Sequence, residues 1–354
     1  MSKRSVPGSP PRRCRRRRSS RMGVGLDFLR IARAQTAAVE GAGFPLAAYL
    51  GGAPVWSLPL FALFGILAHF GGFGENSVSD IEFDRVDPNK RDHPVVSGRI
   101  AVRNAMLFVY ACQVLGILLF AAVLEARGHL LLVPIAAFAG YVVLGHAYNF
   151  LGKRWKPGAV LEISGAFALA FLACGTAWTG RLSEPVGLVG AFAFAWVAYQ
   201  IAALGEGKEI AVRSEKNLLR QLGMETSADG TELRSSHAAF AFTGALTWVK
   251  IGVLGVIAWQ FGSWRWFVPV VIVSMLFLRS MNDLAFLPGR WDRTRFLRLA
   301  GICEAGGYLL LVLAVAPRLG APLVVVFVAL PVLWFVGLNR LLWSRTGSAW
   351  APGV

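Results

Sequence analysis

Asn76, Asp80 and Asp84 stand four residues apart in the stretch ENSVSDIEFDRVDPNKRDHPVVSG, residues 75–98. On a helix each step of four turns only about 40° past a full circle, so the three side chains share a face and Asp87 falls on it too. Pro88 ends such a helix. Acids gathered on one face repel one another unless a cation sits among them. Oxygen-only ligands suit Mg²⁺, which is commonly held by one or two carboxylates together with substrate phosphates. The alternative is a solvated helix end with scattered acids, which the regular spacing disfavours.

The element that must carry these acids is apolar. They follow a hydrophobic segment that ends near Phe73. The whole chain of 354 residues is 55% hydrophobic, only 16% charged, and has a mean hydropathy of +0.55. A soluble chain carries about a quarter charged residues. The apolar residues come in blocks of about 20, long enough to cross a bilayer as helices. A large soluble helical protein is thereby disfavoured, and the expected fold is an all-α polytopic membrane helix bundle. Ten candidate spans can be drawn, at 28–50, 54–78, 101–124, 129–150, 158–180, 185–205, 237–261, 264–281, 298–316 and 321–343. The eighth is short enough to be partly re-entrant.

Charge orients the bundle. With the N-terminus inside and the spans alternating, all 36 basic residues except Arg127, Arg181, Lys250, Arg265 and Arg318 fall on the inner side or at inner helix ends. That bias follows the positive-inside rule. It places the long loops 79–100, 206–236 and 280–297 together in the cytoplasm, with the 206–236 insertion as a cap or lid. The expected location is the cell membrane, multi-pass, with the N-terminus and the polar chemistry cytoplasmic.

The domain organisation expected is a basic disordered tail over 1–25, one transmembrane domain over 26–345 and a C-terminal tail over 346–354. The basic tail, with RRCRRRR at 12–18, suits anionic lipid better than nucleic acid, and no nucleic-acid partner is expected. Met22 offers an alternative start of translation. Cys14, Cys112, Cys174 and Cys303 show no paired spacing; three sit in apolar blocks and read as small apolar residues. Glu40, Glu162, Lys250 and Glu304 fall inside spans, where charges are costly and face a cavity or a partner. Glu40 and Glu162 could position a second substrate, and helix-to-helix pairing explains them equally. Asn282 and Asp283 end the eighth span on the inner side, and His146 reads as a packed or hydrogen-bonded residue.

The pattern N76-x3-D80-x3-D84, followed by Asp87, Asn89, Lys90, Arg91, Pro94 and Ser97-Gly98, resembles the first aspartate-rich motif of the UbiA-type intramembrane prenyltransferase superfamily, which also follows the second membrane helix. The resemblance extends over most of the chain. Tyr148-Asn149 followed by Lys153-Arg154 is similar to that family's short basic loop. G205-E206-G207-K208-E209-I210 stands where the family carries its second aspartate-rich motif. There the family usually holds two aspartates four apart. Here Glu206 matches the first, Ile210 occupies the second, and Glu209 is the nearest replacement, three residues on and still on the same helix face. The family also commonly has Arg where this chain has His93, and nine spans rather than ten.

The resemblance implies a central cavity with a charged cytoplasmic rim. A prenyl diphosphate would sit with its head at the rim and its tail in the cavity, with Mg²⁺ as cofactor. Asp80, Asp84 and Glu206 are the implied catalytic acids, and Asn76, Asp80, Asp84, Glu206 and Glu209 the implied metal ligands. Arg91, Lys153 and Arg154 would share the diphosphate charge. An allylic cation left by C–O cleavage would be stabilised by aromatic faces, for which Tyr148, Trp196 and Tyr199 are placed, and water must be kept out. The second substrate would be an aromatic or lipid acceptor. A terpene cyclase of the same type, needing no acceptor, and a non-enzymatic transporter are the alternatives.

Overall fold

The computed structural model describes residues 21–87, 90–127, 132–152, 156–211, 217–262 and 264–343. Among these, eight helical segments are long and apolar enough to cross a membrane. The expected tails over 1–20 and 346–354 lie outside the described residues. Residues 21–25, assigned to the tail, are helical: α1 begins at Arg21 and runs Arg21–Ile31.

The first expected span, 28–50, is two helices. After α1 the chain breaks over residues 32–37 and resumes as α2 (Ala38–Leu50). Arg33 lies at φ 48°, in the left-handed region that a non-glycine residue seldom enters. Irregular backbone within a bilayer persists only where its polar groups find partners. Here side chains add to the turn's own backbone bonds. Ser77 Oγ donates to Ile31 O at 2.9 Å, Thr36 Oγ1 to Arg33 O at 2.8 Å, and Trp334 Nε1 to Ala34 O at 2.7 Å.

The rest of the bundle is α3 (Leu58–Ser79), α4 (Ile81–Asp84), α5 (Val102–Glu125), α6 (Leu132–Phe150), α7 (Lys156–Thr176) and α8 (Glu184–Tyr199). After α8 a π-helical turn, Gln200–Gly205, leads into the short α9 (Glu206–Lys208). Then come α10 (Leu218–Gln221), α11 (His237–Gln260), α12 (Trp264–Phe286), α13 (Arg293–Ala314) and α14 (Ala316–Trp343). The eighth expected span is a single helix, α12, of 23 residues. Pro59 and Pro185 stand in the first turns of α3 and α8, where a missing N–H is harmless. Gly320, at φ 71°, kinks α14 near its start.

Helix α3 packs on α2, α5 and α6; α7 packs on α6, α8 and α2; α11, α12 and α13 form a group joined through α8; and α14 returns to α2. One apolar core runs through Phe44, Phe61, Phe171, Phe192 and Trp196 to Leu254 and Leu311. Exposed Leu107, Leu118, Val143, Val273 and Leu333 face outward, as lipid-facing residues do. A small antiparallel sheet, in order β1 (Glu225–Thr226), β2 (Glu232–Arg234), β3 (Gly289–Arg290), ties the insertion after α9 to the turn between α12 and α13. Its register sets Glu225 opposite Arg234 and Glu232 opposite Arg290.

Candidate active site

A cavity of about 280 Å³ lies among α2, α3, α5, α6, α7 and the π-helical turn. Its polar end is lined by Asn76, Asp80, Lys90, Glu206, Lys208 and Glu209. Its other end is walled by phenylalanines, among them Phe44, Phe64, Phe138 and Phe167.

Each acid reaches this rim for a local reason. Backbone bonds from Asp80 N to Asn76 O (3.0 Å) and from Asp84 N to Asp80 O (2.8 Å) keep the four-residue spacing. Helix α3 nevertheless ends at Ser79, and Asp80 turns the chain at φ −89°, ψ 0°. The break separates the acids. Asn76 and Asp80 line the cavity, whereas Asp84 is buried beside it, 3% exposed, and receives Lys90 Nζ at 3.2 and 3.3 Å on its two oxygens. One shared face for all three, as the spacing implied, is thus corrected. The helix also ends at Asp84, ahead of Pro88. Burial raises the Asp84 carboxyl above its ordinary range, against the pull of the Lys90 ammonium. Burial likewise lowers Lys90, and Arg33 adds to that.

Glu206 and Glu209 enter from the far side. The π-helical turn rotates the chain out of α8, and π-turns of this kind recur at functional sites. Glu206 is buried; its Oε2 accepts Leu218 N at 2.9 Å, and its carbonyl accepts Asn217 Nδ2 at 2.6 Å. Gly207 is required here, because a Cβ would run into the Phe296 ring. Substituting Glu for the second motif's aspartate therefore leaves the carboxylate on the cavity wall, anchored to the insertion.

The expected substrate groups divide. Tyr148 lines the cavity. Arg91 is exposed and does not line it. Tyr199 is fully buried outside the cavity, with Lys250 Nζ 4.2 Å from its ring centroid, and Trp196 is stacked between Phe192 and Tyr308. Lys153 and Arg154 lie outside the described residues. Among the described residues, Arg33, Lys90 and Lys208 are the lysines and arginines that line the cavity. Lys90 and Lys208 stood beside the motifs; Arg33 had no such signal, because the backbone break turns it inward.

The donor set suits a magnesium ion shared with a phosphate. Asn76 Oδ1 is buried and has no hydrogen-bond partner among the described residues. The acids beside it offer only oxygen. Among the described residues no group of three His, Cys, Asp or Glu forms a closed metal cage. Mg²⁺ needs none when phosphates complete its shell.

The model of the UbiA prenyltransferase family matches residues 41–302. The chain belongs to that family. It is similar to a 4-hydroxybenzoate octaprenyltransferase of Herminiimonas arsenicoxydans, 29% identical over 63% of this chain and 72% of the relative. It is also similar to a 2-acylphloroglucinol 4-prenyltransferase of Humulus lupulus, 28% identical over 54% of this chain and 45% of that protein. A UbiA homolog from Archaeoglobus fulgidus, solved bound to GPP and Mg²⁺, shares the fold: TM-score 0.52, 17% identity, 80% of this chain and 99% of that one. A UbiA homolog from Aeropyrum pernix K1 gives 0.53 at 16% identity, over 84% and 97%. This UbiA-family protein is thus a multi-pass membrane prenyltransferase, and its acid rim and all of its cavity lining except Arg33 and Glu40 lie within the matched region.

Proposed function

We propose that the chain moves an isoprenoid group from a prenyl diphosphate to an acceptor held inside the membrane, with Mg²⁺ that Asn76, Asp80, Glu206 and Glu209 would hold. One observation carries this reading. Two acidic edges from different halves of the chain, α3 and the π-turn region, line the polar end of one cavity whose other end is aromatic. That arrangement matches a molecule with a charged head and a hydrocarbon tail.

The bound Mg²⁺ would neutralise charge on the leaving diphosphate. The chain's own residues do the rest. Lys90, Arg33 and Lys208 add positive charge to the same rim, and Asp84 sets the position of Lys90. Lys153 and Arg154 join them by family resemblance. Tyr148 offers a ring at the head end, where the allylic cation would develop, worth about 0.5–2 kcal/mol, and the phenylalanines of the far end hold the hydrocarbon tail and exclude water. The rim faces the cytoplasm of the cell membrane by the charge bias of the loops.

The test is to incubate purified protein with Mg²⁺ and prenyl diphosphates of several lengths, with and without acceptor. Diphosphate release coupled to an alkylated acceptor is expected, and EDTA should abolish it. A cyclic hydrocarbon formed without acceptor would overturn transfer in favour of cyclisation.

A further inference from the structure

We infer that the crevice where the α12–α13 turn meets β2 binds an anionic phospholipid, with the phosphate between Arg290 and Arg295 and the acyl chains along the outer face of α12. The site is separate from the catalytic cavity and does not depend on the transfer reading.

The crevice is shallow, about 20 Å³ against 280 Å³ for the cavity, and the two share no lining residue. It therefore holds one end of a molecule that lies along the surface. Arg290 and Arg295 line it beside Leu284, Leu287, Trp291 and Leu299. The turn is held in place. Strand β3 pairs with β2, Trp291 N donates to Thr231 O at 2.7 Å, and the Trp291 and Phe296 rings lie 5.3 Å apart.

The charge at this turn is unmatched. Arg290, Arg295 and Arg298 are exposed, and their guanidinium groups have no ion pair or hydrogen bond among the described residues. Arg298 stands three residues after Arg295 and so on the same side of α13. The fourth arginine of the turn, Arg293, is engaged elsewhere: its Nε donates to Lys208 O at 3.3 Å. The nearby acids do not balance the three. Asp292 Oδ1 accepts Thr294 N and Arg295 N at 2.8 and 3.2 Å, capping α13. Asp283 pairs with Arg279 at 2.9 Å. Glu232, opposite Arg290 in the sheet, is exposed and makes no ion pair with it. Guanidinium groups gathered this way repel one another, and a phosphate gripped through paired N–H groups relieves that.

The apolar half of the crevice identifies the anion. Leu284 and Leu287 are exposed, and they continue the outward face of Val273, Leu276 and Phe277 to the end of α12. Arginines that begin where a lipid-facing stripe ends stand at head-group depth, and tryptophan is the aromatic residue favoured at that level. Basic pockets between helices at such a depth take anionic lipid head groups. Inorganic phosphate or a nucleic acid would leave the leucines uncovered. A prenyl diphosphate carries more charge and calls for acids that hold a metal, whereas Asp292 is the one carboxylate lining the crevice. A phosphodiester has a single charge and needs no metal.

The test titrates the full-length purified protein in detergent with phosphatidylglycerol or phosphatidylcholine of identical acyl chains, read by native mass spectrometry. The first phosphatidylglycerol should bind about tenfold or more tighter than phosphatidylcholine. Combining Arg290→Gln with Arg295→Gln should bring that preference near unity. Arg295→Gln alone, the milder variant should the double one fold poorly, should lower it about threefold. Arg103→Gln, which removes an exposed arginine at the start of α5, should leave it intact. Equal binding of the two lipids by the parent overturns the inference. So does an equal loss in Arg103→Gln, which would make the attraction a property of the whole basic surface. Displacement of phosphatidylglycerol by geranyl diphosphate with Mg²⁺ overturns it too, because the crevice would then be a substrate site. Diphosphate release is no part of the readout, so failure of the transfer reading would leave the lipid site standing.

Discussion

At the residue scale, spacing made Asp80 and Asp84 equivalents, and the turn at Asp80 makes them different. Asp80 faces the cavity, so Asp80→Ala should cost 10³-fold or more in turnover, about 4 kcal/mol of barrier. Asp84 acts through Lys90. A double-mutant cycle on Asp84→Asn and Lys90→Met should therefore show coupling of about 1–3 kcal/mol, where Asp80 and Lys90 show less. Independent effects of Asp84 and Lys90 would refute that link. His93 gives a pH prediction. Burial pushes its imidazole down to about 3, so the folded protein holds it neutral, while the unfolded chain protonates it near 6.5. The unfolded state then binds more protons below 6.5. Stability is full above that pH and declines as pH falls toward 3. Thermal unfolding in detergent between pH 7 and 4 should show a slope that His93→Asn reduces.

At the element scale, the four-residue period of Asn76 and Asp80 was legible because α3 is helical through both. Tyr199 was misplaced for the converse reason. Helix α8 is buried on nearly all sides, so no polar stripe shows in the sequence that Tyr199 turns away from the cavity. The π-helical turn that follows also resets the register between Tyr199 and Glu206, which no apolar pattern reveals. The break at 32–37 was equally hidden, since an apolar block reads the same with or without a left-handed residue in it. Side chains add to the backbone bonds of that break, and Trp334→Phe isolates one of them. Removing the indole donor takes one of two bonds from the Ala34 carbonyl, which keeps Ala37 N at 3.3 Å, and should cost about 0.5–1.5 kcal/mol. Because the break turns Arg33 into the cavity, the donor KM should rise alongside the loss of stability. A destabilised variant with an unchanged KM would show that Arg33 holds its place without the staple. Glu206 tests the other edge. Glu206→Asp should keep activity with a higher Mg²⁺ requirement. Glu206→Ala should lose more, because the carboxylate both faces the rim and accepts Leu218 N. An alanine variant matching the parent would remove Glu206 from the site.

At the scale of the whole molecule, the fold class and the common rim were readable from hydropathy and charge, because a bilayer allows few ways to arrange apolar blocks. What could not be read was how the inner loops meet. The insertion after α9 pairs with the α12–α13 turn as a small sheet, and Glu206 is tied to its first turn at Asn217 and Leu218. The acid rim, the sheet and the α12–α13 turn therefore lie together at one end of the bundle. Labelling can decide which side of the membrane that end faces. In a chain stripped of its native cysteines, Ala228→Cys on the insertion and Leu182→Cys before α8 are both exposed. An impermeant maleimide added to intact cells should modify residue 182 and leave residue 228 untouched until the membrane is opened. The reverse pattern would put the rim on the outer face, away from any cytoplasmic supply of prenyl diphosphate, and the positive-inside reading of the loops would fall with it.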